Sequence, residues 1–168
     1  MFIHKYEWAN VMNFKIFLQN FVWVCAFLCT SYFIGQTTQA GMPWYDTLTK
    51  SPYNPPKIMF PIVWTTLYIM LAMVGCYLWR HKQNSFMKNM LIFFCLYMLV
   101  NWAWSYIFFY AHFISTGFYW IILSDLILGF LIFRLFKQGY QFLSLSLLPT
   151  FIWGCYAAYL NGYIMILN

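Results

Sequence analysis

The sequence predicts an all-α integral membrane protein, a five-transmembrane-helix bundle with a long proline-rich loop between helices 1 and 2. Three observations carry this reading. Of 168 residues, 64% are hydrophobic and only 7% charged, whereas a soluble domain carries roughly a quarter charged residues. So few charges cannot cover a water-facing surface. Apolar runs recur at lengths of about 20 residues, enough to cross a bilayer core. These runs are too long for barrel strands and do not alternate, which excludes a β-barrel.

The first span is residues 14–34, apolar apart from Lys15, Gln19 and Asn20 near its start. It is too long for a signal h-region and lacks a small-x-small exit, so no cleaved signal is expected. Residues 35–58 form the longest break in the chain. This stretch and its exit hold Pro43, Pro52, Pro55, Pro56 and Pro61, leaving only Pro149 elsewhere. Proline fixes φ and removes an amide donor, so the break reads as a stiff, extended, non-helical connection. Its expected role is a lid, with Trp44, Pro55 and Pro56 as the lid residues, closing over something held among the helices.

The second span, residues 59–79, ends in Trp79-Arg80-His81-Lys82, an aromatic-then-basic stop. The remaining spans are residues 89–111, 118–136 and 142–167, and the whole of 1–168 is a single membrane domain. Their joints are short and polar, which makes successive spans antiparallel neighbours. Five spans put the termini on opposite sides. Lys5, Lys15, Arg80, Lys82, Lys88, Arg134 and Lys137 then fall on one side, and only Lys50 and Lys57 on the other. By the positive-inside rule the N-terminus is cytoplasmic, and the proline-rich loop and C-terminus are periplasmic, if the membrane is a bacterial inner one.

The net charge of +6 raises nucleic acid as a partner, but the cations are spread over loop ends and form no cluster, so none is expected. Cys25, Cys29, Cys76, Cys95 and Cys155 lie inside apolar stretches without a CxxC, and read as small buried hydrophobes. No metal site is expected. Catalytic motifs are missing. His4, His81 and His112 are scattered, the only acids are Glu7, Asp46 and Asp125, and no HExxH, GxSxG or phosphate-binding glycine loop occurs.

Two features carry chemistry. Asp125, beside Ser124, lies in the fourth span, where an ionisable group is costly and is a functional candidate by default. The favoured alternative is structural: a hydrogen bond to Asn101 that orders the bundle, since one lone acid makes no relay. The second feature is aromatic. At 25% of residues, aromatics exceed what interfacial anchoring needs. Tyr97, Asn101, Trp104 and Phe108 share one helical face. Trp64, Tyr68, Leu71 and Gly75 do the same on the second span, and Trp153, Ala157, Leu160 and Asn161 on the fifth. Such stripes suit core packing or a pocket. Small residues at Gly75 and Ala157, beside the tryptophans, are read as leaving room for one.

The run Trp44-Tyr45…Leu48…Lys50…Pro55-Pro56…Val63-Trp64-Thr65-Thr66-Leu67-Tyr68 resembles the translocator protein family, also called TspO/MBR, tryptophan-rich sensory proteins or peripheral benzodiazepine receptors. Asn101-Trp102-Ala103-Trp104 with Ile107-Phe108-Phe109, Asp125, and Pro149…Trp153…Ala157…Leu160-Asn161 resemble its signatures in helices 3, 4 and 5. The resemblance covers residues 44 to 168 in order. It implies a five-helix bundle whose pocket opens toward the first loop and binds porphyrins such as protoporphyrin IX or haem, cholesterol in some members, and benzodiazepine-type drugs. Tyr68 and Ser124 come into the candidate site from the helix faces. By resemblance Trp64, Trp104, Trp153, Ala157 and Leu160 line it, with Asn101 as a polar contact. No cofactor is required; porphyrin or haem is the ligand.

Departures narrow the match. Tyr97 stands where many members have Gln, Thr150 where they have Tyr, and Ile58 where mammalian members have Trp. Ile92 and Leu96 replace the small residues of the usual dimer face, so a homodimer is left without an assigned interface. No Lys or Arg follows Tyr163, so the sterol-type pattern fails and a bacterial member is favoured. The expected partners are a small hydrophobic ligand, porphyrin before sterol, and membrane lipid. Three functions follow: a tetrapyrrole transporter or sensor; a light- and oxygen-dependent porphyrin-degrading enzyme in which Trp64 and Trp153 act; and a ligand-free membrane scaffold.

Overall fold

A computed structural model describes the backbone from residue 3 and side chains from residue 13 to the end of the chain. The side chains of His4, Lys5 and Glu7 lie outside the described residues. Five helices follow in order: α1 (Ile3–Thr47), α2 (Met59–Arg80), α3 (Ser85–Ser105), α4 (Ile114–Lys137) and α5 (Gln141–Leu167). All five are long and apolar enough to cross a membrane. Around the bundle the order is α1, α2, α5, α4, α3, each packed on the next and α3 closing back on α1.

The largest departure from the sequence reading is at the first loop. Helix α1 does not stop at residue 34 but continues through Gly35–Thr47, so the connection to α2 shrinks to residues 48–58. Trp44 therefore stands in the last turns of a helix, not in a loop, and the long proline-rich loop is corrected to a short connection. Pro43 lies inside α1. It removes one helical hydrogen bond near the helix end, where the disruption is least. The carbonyls left open where the helix ends find another donor. Lys50 Nζ donates to the carbonyls of Tyr45 (2.7 Å), Asp46 (3.2 Å) and Leu48 (2.9 Å), capping α1.

A second departure lies at the end of α3. The helix widens into a π turn over Tyr106–Tyr110 before the chain reverses at His112, which adopts a φ of 58°. The wider turn carries Phe108 and Phe109 inward, where both are buried. Gly41 of α1 lies directly against the Phe109 carbonyl, where a Cβ would collide. A residue without a side chain is what lets α1 seat on the π turn.

The core is solid at the end that carries Arg80 and Lys82. Leu71, Leu78, Met87, Met90, Phe94, Leu128, Leu131, Leu135 and Leu147 are fully buried together. Asn84 caps α3 there, accepting from the amides of Phe86 (2.9 Å) and Met87 (3.2 Å). Arg134 and Lys137 occupy the last turn of α4, where cations complement the helix dipole. Gly75 belongs to this end. A Cβ on it would come within 2.7 Å of the rings of Phe94 and Trp23, so Gly75 makes room for core packing and not for a pocket, as its helix face had suggested.

Candidate functional site

At the opposite end the same helices separate. A groove of about 480 Å³ runs between α1 and α2 and reaches α3. From α1 it is lined by Ser31, Gly35, Gln36, Thr38, Gln39 and Met42; from α2 by Phe60, Trp64, Thr65 and Tyr68; and from α3 by Asn101, Trp104 and Ser105. Behind it, among α2, α3, α4 and α5, lies a narrower chamber of about 50 Å³. Tyr97, Ser124, Asp125, Thr150, Trp153, Ala157, Leu160 and Asn161 line this chamber. Met42, Phe60, Trp64, Asn101, Trp104 and Phe109 line both spaces and form the partition between them.

The partition is held by rings and one hydrogen bond. Trp64 stacks on Tyr68 with centroids 5.4 Å apart, and the Tyr68 hydroxyl donates to Asn101 Oδ1 at 3.1 Å. Trp104 stacks on Phe108 at 5.3 Å and meets Phe109 edge-on at 5.5 Å. Phe60 meets Trp153 edge-on at 6.1 Å. Offset and edge-on pairs of this kind hold large flat side chains rigidly.

All eight residues expected to bind ligand line one of the two spaces: Trp64, Asn101 and Trp104 line both, Tyr68 the groove, and Ser124, Trp153, Ala157 and Leu160 the chamber. The lid residues do not. Trp44 stacks on His112 at 4.1 Å and meets Phe108 edge-on at 5.4 Å, fastening α1 to the π turn. Pro55 and Pro56 lie in the connection between α1 and α2 and line neither space. The proposed bond between Asp125 and Asn101 is also not made. Asn101 Oδ1 is occupied by Tyr68, and the Asp125 carboxyl group lies against Gly154 of α5, where a Cβ would collide with it.

The chamber holds unmet hydrogen-bonding capacity. Among the described residues, Trp104 Nε1, Trp153 Nε1, Thr150 Oγ1 and Asn161 Oδ1 are buried without a partner, and all four residues line it. An unpaired buried polar group costs about 1–3 kcal/mol, so a ligand edge that bonds these groups would be favoured here. Sequence reasoning missed the α1 wall. Ser31, Gly35, Thr38 and Met42 recur at helical spacing, but the polar run Gln36-Thr37-Thr38-Gln39 hid the last three inside a supposed loop.

The connection is tied down over this end. Tyr45 Oη donates to Asn54 Oδ1 (2.8 Å), Ser51 Oγ and Tyr159 Oη share a hydrogen bond (2.9 Å), and Tyr156 Oη donates to the Tyr53 carbonyl (2.7 Å). Asn168 closes the rim, accepting from the Thr49 amide (2.8 Å) and donating to its carbonyl (3.1 Å). Among the described residues no three His, Cys, Asp or Glu side chains gather as metal ligands. The arrangement suits a flat, largely apolar molecule with a few hydrogen-bonding edges.

A family model described as TspO/MBR family matches residues 21–167. The tryptophan-rich protein TspO of Chlorobaculum tepidum is 33% identical over 157 residues, 86% of this chain and 94% of that protein. The tryptophan-rich sensory protein of Cereibacter sphaeroides is 27% identical over 125 residues, 74% of this chain and 77% of its own length. The translocator protein of Ovis aries is 33% identical over 101 residues, 58% of this chain and 57% of its own.

Proposed function

The chain belongs to the TspO/MBR family of membrane proteins, and from that premise we propose that it binds a tetrapyrrole, protoporphyrin IX or haem, in the groove between α1 and α2 and acts as its transporter or sensor. One observation carries this reading: an aromatic-walled groove of about 480 Å³ lies within the range of ligand pockets, roughly 300–1,000 Å³, and continues into a chamber with unpaired donors. A bundle packed solid at both ends would have favoured a scaffold. The test is titration of the purified protein in nanodiscs with protoporphyrin IX, read by tryptophan fluorescence. Saturable quenching is expected, and its absence overturns the reading.

A second reading is light- and oxygen-dependent porphyrin degradation. Trp64 supports it, because it lines both spaces and would lie against a bound ring as an electron donor. Illuminating the complex tests it. Bleaching by Trp64→Phe and Trp153→Phe at the parent rate removes these residues from any such chemistry.

The proposed orientation is that of a bacterial inner membrane, with the N-terminus cytoplasmic and both the 48–58 connection and the C-terminus periplasmic. Supporting it, Arg134 lies over the Phe86 ring at 5.9 Å and Arg80 donates to Asn20 at 3.4 Å, so the basic joints gather at one end. Labelling from the periplasmic side of a Thr49→Cys variant in which the five native cysteines are replaced checks it.

A further inference from the structure

Two cations stand at the groove end of the bundle, and they are used differently. Lys50 is spent on structure, donating to three carbonyls at the end of α1. Lys57 lines the groove. Its ammonium meets one partner, the Asp46 carboxylate, at 2.6 Å, and the two side chains are 55% and 46% exposed. An exposed pair of this kind contributes about 0–1 kcal/mol and exchanges readily.

Among the described residues Lys57 is the single charged residue lining the groove, whose other polar groups are amides, hydroxyls and indoles. The chamber behind has the opposite character. Its one ionisable acid is Asp125 and no cation lines it, so its unpaired indole donors offer an acid group hydrogen bonds but no counter-charge. A ligand carrying an acid therefore has one favourable seat, at the mouth, with its apolar body toward Trp64 and Trp104.

The geometry points to Lys57 as an anion seat that selects ligands bearing an acid group on an apolar body and fixes them acid-outward, with Asp46 as the intramolecular competitor that holds the seat when the groove is empty. This rests on the groove being the ligand site. The acid can be the carboxylate of a tetrapyrrole-sized ligand or the headgroup of an anionic lipid entering between α1 and α2.

The competitor gives the test its sign. In phosphatidylcholine nanodiscs the affinities of protoporphyrin IX and of its dimethyl ester are compared for the full-length parent, Lys57→Gln and Asp46→Asn. The diacid is expected to bind the parent about threefold to tenfold tighter than the ester. Lys57→Gln erases that preference, the diacid falling to the affinity of the ester. Asp46→Asn frees Lys57 and strengthens the diacid by a similar factor, and the gain shrinks with added salt.

If the 2.6 Å bridge merely stiffens the connection, the two variants weaken both ligands alike, which overturns the anion seat. An unchanged preference in Lys57→Gln overturns it too, while saturable binding of both porphyrins leaves the groove reading intact. No binding of either form by the parent overturns both. Adding phosphatidylglycerol separates the sources: loss of the parent's diacid preference assigns the seat to lipid headgroups, and its persistence assigns it to the ligand.

Discussion

The end of the bundle that carries Arg80 and the end that carries the 48–58 connection are built from the same helices, yet one is solid and the other hollow. At the solid end the contacts are Leu on Leu and Met on Phe, with Leu71, Leu78, Leu128, Leu131, Leu135 and Leu147 wholly enclosed. Branched and flexible aliphatic side chains interdigitate to high density. At the hollow end the walls are Trp64, Trp104, Trp153, Phe60 and Phe108. Flat rings stack and meet edge-on there, and two cavities remain between them. The contrast teaches that this fold places its densest packing and its cavities in different halves, so the two can be perturbed separately.

The sharpest way to break that division is at the solid end. Leu131→Ala opens a cavity among fully buried neighbours. In a membrane the transfer term is small because lipid is as apolar as leucine, so the cost is mainly lost packing, about 2 kcal/mol. Thermal unfolding in detergent measures it. The folded variant is expected to bind porphyrin within about twofold of the parent. A large loss of affinity would show that the halves are coupled.

The converse perturbation fills the groove. Gly35 lines it, and a Cβ there meets nothing within 4 Å. Gly35→Leu is therefore expected to leave the unfolding temperature unchanged or slightly raised, because a helical glycine is lost. Porphyrin affinity should fall about tenfold or more, roughly 1.4 kcal/mol. Ala157→Phe tests the chamber in the same way. If Gly35→Leu binds normally while Ala157→Phe does not, the chamber and not the groove is the seat.

How far these regions were legible differs in the same way. The solid end follows from apolar runs and basic joints. The faces Tyr97-Asn101-Trp104-Phe108 and Trp153-Ala157-Leu160-Asn161 were readable from 3–4 spacing, and the structure brings both to one chamber. The α1 wall was not readable. Four polar residues, Gln36 to Gln39, followed by Pro43, look like a loop when helix is expected to face lipid. Here Gln36, Thr38 and Gln39 face a groove, and Lys50 satisfies carbonyls at the helix end. Gly75 misled for a related reason. Spacing identifies a face, but whether that face meets a void or Phe94 depends on the neighbouring helix. The π turn at Tyr106–Tyr110 left no recognised mark in composition, since Phe-rich sequence suits either helix.

A smaller effect probes the unpaired indoles. Trp104→Phe removes a buried donor that has no partner within the protein. Stability without ligand should be unchanged or higher by up to about 1 kcal/mol, because a desolvated N–H is removed and the ring is largely kept. With ligand the sign reverses, and the porphyrin-induced rise in unfolding temperature should shrink. Trp102→Phe is the control. Its Nε1 is also unpaired, but Trp102 lines neither space, so the ligand-induced rise should be retained. Equal losses in both variants would mean that the indole donors in the chamber play no special part in binding.

The smallest effect concerns the connection itself, now reduced to 48–58. Its ties to α5 run through Tyr156 Oη to the Tyr53 carbonyl and through Ser51 to Tyr159. Each such bond contributes about 0.5–1.5 kcal/mol. Tyr156→Phe and Ser51→Ala together should loosen the rim without touching either wall, since neither residue lines the groove or the chamber. If the short connection acts as a lid, porphyrin release in stopped-flow should quicken several-fold, with association quickened in proportion and affinity nearly unchanged. Pro55→Ala with Pro56→Ala should act in the same direction by relaxing the backbone between those ties and Lys57. A fall in affinity with unchanged release would mean that the connection shapes the groove mouth around Lys57 without gating it. That result would move residues 48–58 from the hollow half's lid to its wall.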